Sequence, residues 1–88
     1  LDWTIEYAAK AAKQFRRLDR ANQRRIQRYI SSLLQDATSP TQRGKALTGN
    51  LAGLWRYRVG DIRLVCDLQQ QRLVVLVVRI GHRSTIYD

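Results

Sequence analysis

Arg56 and Arg58 alternate with Tyr57 in a stretch of strand-forming residues, so one face of a strand would carry both guanidinium groups. Arg63 follows just past a Gly60-Asp61 turn signal, on what should be the neighbouring strand. Arg79 and Arg83 flank the end of the next apolar run. Between residues 43 and 83 the acids are Asp61 and Asp67, against Arg43, Lys45, Arg56, Arg58, Arg63, Arg72, Arg79 and Arg83. Like charges side by side on a sheet are unfavourable, and an anion from outside would supply the missing charge. A guanidinium is planar, always charged, and shaped to meet phosphate oxygens with two donors. One chemistry such a cluster leaves open is metal-free cleavage of RNA. Cations stabilise the pentacoordinate phosphate while other groups move protons from the 2′-OH and to the leaving 5′-oxygen.

What is missing narrows the choice. One His and one Cys do not make the usual zinc sites. Glu6 is the only Glu, and no pair of carboxylates stands out for two-metal or glycosidase chemistry. Neither a Walker motif nor a dinucleotide fingerprint is present. No metal and no cofactor are expected. Cys66, alone, forms no internal disulfide, which fits a reducing cytoplasm. No signal-peptide pattern is visible, and the longest apolar run, 73–78, is far too short to span a bilayer.

The whole chain is basic. Sixteen Lys and Arg, thirteen of them Arg, stand against seven Asp and Glu, for a net charge of +9. That excess predicts an anionic partner: nucleic acid first, an acidic protein segment second, a membrane surface a weak third. Eighty-eight residues make one domain with a modest core, and 44% hydrophobic content is enough to build it.

The elements that must position the arginines follow from periodicity. Residues 3–7 (WTIEY) alternate as a short strand. Ala8, Ala11, Ala12, Phe15 and Leu18 then recur at helical spacing. Asp19 breaks the pattern and can cap a second helix over 20–35, with Ile26, Tyr29, Ile30, Leu33 and Leu34 on its apolar face. The short link makes an αα-hairpin. Lys10, Lys13, Arg16, Arg17, Arg20, Arg24, Arg25 and Arg28 leave the pair with one sign of charge, opposed only by Asp19. A solvated face is the plain reading of each one; together they can track phosphates.

Residues 37–53 read as a loop with Leu47, Leu51 and Leu54 as core anchors. Three strands follow, 54–59, 62–68 and 72–80, joined by short turns into an antiparallel meander. The run 73–78 is apolar almost without break, as in a central strand covered on both faces. Gly81 should end that strand, and 84–87 should form a last extended piece. Trp3 and Cys66 belong to the core, where Trp55 and Tyr57 also fit better than as base-stacking platforms. Arg79 can point either way. The expected class is α+β: an N-terminal strand, an α-helical hairpin, then an antiparallel meander packed against the helices.

Two stretches, LTGNLAGLWRYRVGDIRLVC (47–66) and VVRIGHRSTIY (77–87), resemble the RelE/ParE superfamily of bacterial toxins, and the element order matches over nearly the whole chain. The resemblance is closer to the RelE branch. It implies a ribosome-dependent endoribonuclease that cuts messenger RNA in the A site, neutralised by a cognate acidic, RelB-like antitoxin. It implies that Arg56, Arg58 and Arg63 grip the scissile phosphate, that Arg83 acts near the leaving oxygen, that His82 shares the proton transfer, and that Tyr87 stacks on or orients a base. The 2′-OH would attack in line and leave a 2′,3′-cyclic phosphate. Lys10, Lys13, Arg17, Arg24, Arg28 and Lys45 are the expected further RNA contacts. RelE toxins often carry Lys at the strand pair where Arg56 and Arg58 stand here. YoeB and HigB relatives use a histidine near His82, whereas the YoeB glutamate has no counterpart. The alternative within the superfamily is a ParE-like toxin that poisons DNA gyrase by binding it; a nucleic-acid-binding module without catalysis is a third reading.

Overall fold

The computed structural model describes residues 3–35 and 40–84. Strand β1 (Thr4–Tyr7) leads into helix α1 (Ala9–Arg16) and helix α2 (Arg20–Gln35). A 3₁₀ turn (Pro40–Gln42) precedes the short strand β2 (Lys45–Ala46), and a second (Gly49–Leu51) precedes β3 (Trp55–Val59). Strands β4 (Ile62–Gln69) and β5 (Val74–His82) complete a five-stranded sheet in the order β1-β5-β4-β3-β2. β1 runs parallel to β5; the other pairs are antiparallel. The α+β class and the meander expected from the turns are present.

The helices pack on one face of the sheet. Ala11, Ile26, Ile30 and Leu33 meet Tyr57, Val59, Ile62, Leu64, Cys66, Val75, Val77 and Ile80 in one apolar cluster. The helical spacing placed α2 over the residues it occupies, and Asp19 caps it: its Oδ1 accepts the Asn22 N–H at 3.0 Å. At the end of α1, Gln23 Nε2 donates to the Phe15 carbonyl at 2.9 Å. Residues 40–44, just before β2, are clasped to the core. Tyr57 Oη donates to the Pro40 carbonyl at 2.8 Å. The Arg43 guanidinium lies 4.8 Å from the Tyr29 ring centre and donates to Ser32 Oγ at 3.0 Å. Gly44 passes close to Tyr57; a Cβ there would stand 2.8 Å from the ring. Trp3 and Trp55 pack against the core, which also takes Tyr57 and Cys66.

Several expectations change. β2 lies inside the stretch read as loop, because two residues carry no period; the pairs Lys45↔Arg56 and Ala46↔Trp55 define it. β5 begins and ends two residues later than expected. A turn with Leu73 at φ 53° delays its start, and Gly81 is an internal residue opposite Arg63. The run 73–78 is not evenly covered: Val75 and Val77 are buried under the helices, but Leu76 and Val78 are half-buried. Among the described residues no helix covers the second face. Leu47, Leu51 and Leu54 are half-buried outside the main cluster rather than anchors of it, because their loop is held by its own hairpin bond, Leu47 N–H to the Leu54 carbonyl at 2.9 Å. The expected extended piece at 84–87 falls almost wholly outside the described residues; Ser84 is in a turn. No helix among the described residues is long and apolar enough to cross a membrane.

Candidate nucleic-acid interface and active site

The register fixes where the arginines point. Val65 in β4 lies opposite Arg56 in β3 and Arg79 in β5, and Arg56 lies opposite Lys45 in β2. One row across four strands therefore reads Lys45, Arg56, Val65, Arg79. The next row reads Arg58, Arg63, Gly81. Tyr57, Leu64 and Ile80 fill the alternate positions and belong to the helix-side cluster, so both rows face away from the helices. Lys45, Arg56, Arg58, Arg63 and Arg79 share this open face. Gly81 adds no side chain to it and leaves β5 bare beside Arg63.

Arg79 reaches this face because of a β-bulge. Val65 pairs with Arg79 and Cys66 with Val77, so Val78 is an extra residue in β5. Such a residue reverses the alternation of the strand. Val77 and Ile80 both turn to the core, although they are three positions apart, and Arg79 turns out. Just past the bulge, beyond the end of β1, Gln14 Oε1 accepts the Ile80 N–H at 2.7 Å. A side chain from α1 thus replaces the strand partner that β1 is too short to supply. Sequence reasoning missed Gln14; a lone Gln on a helix carries no signal of that kind. Gln14→Leu should lower stability by about 1–3 kcal/mol, the usual effect of leaving a buried donor unmet. Urea unfolding of the variant checks this; a loss below about 0.5 kcal/mol would mean that water takes over the bond.

The arginines differ in how they are held. Arg58 is exposed, as is Arg79. Arg56 is 9% exposed and Arg63 only 4%. Arg63 Nη1 donates to the Gly60 carbonyl at 2.9 Å and to the Ile62 carbonyl at 3.2 Å. This draws its charge toward the β3–β4 turn and away from Arg58, directly opposite, relieving a like-charge pair. Gly60 takes φ 61° in that turn, a conformation that favours glycine. Arg83 follows β5, is exposed, and is tied beside the same turn by its N–H to the Asp61 carbonyl at 2.9 Å.

Not every expected residue joins this group. His82 is exposed and pairs with Ile62, and alternation puts it on the helix side of the strand rather than beside Arg58 and Arg63. Tyr87 lies outside the described residues. Lys10, Lys13, Arg24 and Arg28 on the helices and Arg17 in the link between them are all exposed, but across the sheet from the arginine face. Only Lys45 of the expected further RNA contacts shares that face. Arg72 is occupied elsewhere, bonded to Glu6 at 3.2 Å near the opposite end of the sheet. No three His, Cys, Asp or Glu side chains come together among the described residues.

Comparison with known proteins completes the picture. The chain is 25% identical to a chain of the toxin–antitoxin complex RelBE2 from Mycobacterium tuberculosis, with a TM-score of 0.71, covering 94% of this chain and 100% of that one. A chain of the archaeal RelE–RelB complex from Pyrococcus horikoshii matches at 19% identity and TM-score 0.71, over 98% and 100% of the two chains. The isolated RelE toxin of E. coli matches at 17% and 0.72, over 91% and 83%. No curated protein matches in sequence. The model of the ParE toxin of type II toxin–antitoxin systems, parDE, matches residues 5–87. The chain belongs to that toxin family, within the RelE/ParE superfamily.

Proposed function

We propose that this toxin is an endoribonuclease that cuts messenger RNA in the ribosomal A site and so stops translation. One observation carries the reading: a sheet face, not covered by a helix among the described residues, that gathers Arg56, Arg58, Arg63 and Arg79 from three adjacent strands. Such a face has the charge for a phosphate that gains negative charge during reaction. The 2′-oxygen bonds to phosphorus, the bond to the 5′-oxygen breaks, the 2′-hydroxyl gives up its proton, and the departing oxygen takes one. A 2′,3′-cyclic phosphate and a 5′-hydroxyl result. Arginine stays protonated and is a poor proton carrier; Arg58 and Arg63 act on charge, with Arg83 near the leaving oxygen. The ribosome holds the sugar and phosphate in line, a contribution that can match any catalytic group.

The helix cations support the ribosomal setting. Lys10, Lys13, Arg17, Arg24 and Arg28 lie across the molecule from Arg58, and one thin strand of RNA does not meet both sides at once. A crevice walled by RNA does, and the net charge of +9 suits it. The partner that silences the toxin is an acidic antitoxin, as in the RelBE complexes, wrapping the helices and covering the arginine face as it folds.

The match to the ParE model favours a second reading, poisoning of DNA gyrase by binding. Primer extension on messenger RNA from expressing cells separates the two. Cuts that depend on translation and vanish in Arg83→Ala are the expected result. Intact messenger with broken chromosomal DNA would replace the ribonuclease with the gyrase poison.

A further inference from the structure

A groove of about 560 Å³ lies between the β2–β3 loop and Arg79. That is within the range of small-ligand sites, about 300–1,000 Å³. Its walls combine three kinds of group. Lys45 and Arg79 are exposed cations at its edge, and neither ion-pairs with a carboxylate among the described residues. Leu47 and Leu51 are half-buried and stand outside the main core. Thr48 and Asn50 bring a hydroxyl and an amide, both exposed.

We propose that this groove is a subsite for the nucleotide adjoining the scissile phosphate, with Lys45 and Arg79 on its phosphate and Asn50 reading its base. The proposal rests on the ribonuclease reading and adds the source of base preference to it. Cations alone would suit any acidic segment. A base asks for more: an apolar surface to lie on, which the leucines offer, and a paired donor and acceptor for its edge, which an amide supplies. Position argues the same way. Lys45 and Arg79 occupy the row of Arg56, and the row of Arg58 and Arg63 is two residues further along the strands, about 7 Å away. A strand of RNA with its scissile phosphate at Arg58 has its neighbouring nucleotide within reach of the groove. The bulge at Val78 serves this arrangement, since without it Arg79 would face the helices.

The test uses the intact toxin and two readouts. In the first, 2′-O-methylated tetranucleotides, which resist cutting, and inorganic phosphate are titrated separately while backbone amides are followed by NMR. The amides of residues 45–51 should shift with the tetranucleotides, to an extent that depends on base. Arg79→Gln should weaken binding about tenfold or more, and Arg79→Lys should restore part of it. In the second, cut sites are mapped on programmed ribosomes. Asn50→Ala should flatten the base preference beside the cut while cutting continues. The proposal is overturned if 45–51 stay unmoved by the tetranucleotides, if inorganic phosphate moves them equally, or if only the antitoxin does, making the groove a protein dock. It also fails if wild type, Asn50→Ala and Arg79→Gln cut with one base pattern. A wild type that cuts nothing but binds tetranucleotides with base dependence keeps the groove as a nucleotide site and removes the ribonuclease reading instead.

Discussion

Arg58→Ala should slow cutting of ribosome-bound messenger about 100-fold or more, the usual effect of removing one well-placed donor to a developing oxyanion, with little change in stability. Arg58 is exposed and sits in the middle of the open face, opposite Arg63 and two residues from Arg56. Removing it takes away a charge that repels its neighbours, so the folded state loses no buried contact and sheds some like-charge strain. Single-turnover cutting on programmed ribosomes gives the rate, and urea unfolding gives the stability. Arg63→Ala makes the contrast. Arg63 is buried and bonded to two carbonyls at the β3–β4 turn, so its loss should lower activity and stability together. A fully active Arg58→Ala would remove the arginine face from the reaction. Equal destabilisation by the two variants would show that burial was misjudged as the difference between them.

How far the sequence carried this site depends on how local each signal was. Period-2 alternation sufficed to put Arg56 and Arg58 on one face, and the Gly60-Asp61 turn sufficed to bring Arg63 opposite Arg58. Helix α2 was legible from its cap and its apolar spacing, both written within its own residues. Arg79 was not. Counting by twos from Val77 sends it to the helices, and only the extra residue at Val78 turns it out; a bulge arises from pairing between strands and leaves no mark in one strand's composition. The parallel pairing of β1 with β5 was equally silent, because it joins residues such as Thr4 and Val74 through contacts that no local pattern encodes. Gln14 belongs to the same class, since its partner, Ile80, exists only once that pairing ends short of the bulge. His82 shows the reverse. The resemblance put it with the strand arginines, and alternation along β5 turns it to the helix side, away from Arg58 and Arg63.

Alkaline pH should destabilise this protein from about pH 9 upward, and Cys66 should carry a large share of the first pH unit of that loss. The thiol is 1% exposed within the core, and burial pushes its pKa up from 9.0 to about 12. Between those values the unfolded chain releases the proton and the folded chain keeps it, so rising pH favours unfolding. Stability due to this group is complete below pH 9 and falls by about 1 kcal/mol per pH unit, approaching about 4 kcal/mol near pH 12. A domain of this size holds only about 5–10 kcal/mol in total. Tyr7, Tyr29 and Tyr57 are also raised, chiefly by burial, from an ordinary value of 10.0, and they add to the decline as the pH nears and passes 10. Urea midpoints at pH 8, 9 and 10, with a reductant present, follow the loss. Cys66→Ala should start about 1 kcal/mol less stable, for the small cavity it leaves, and then fall less than the wild type from pH 9 to 10. A parallel fall in both would assign the alkaline limit to other groups. The same burial bears on chemistry: a thiol that stays protonated to about pH 12 offers no thiolate at neutral pH.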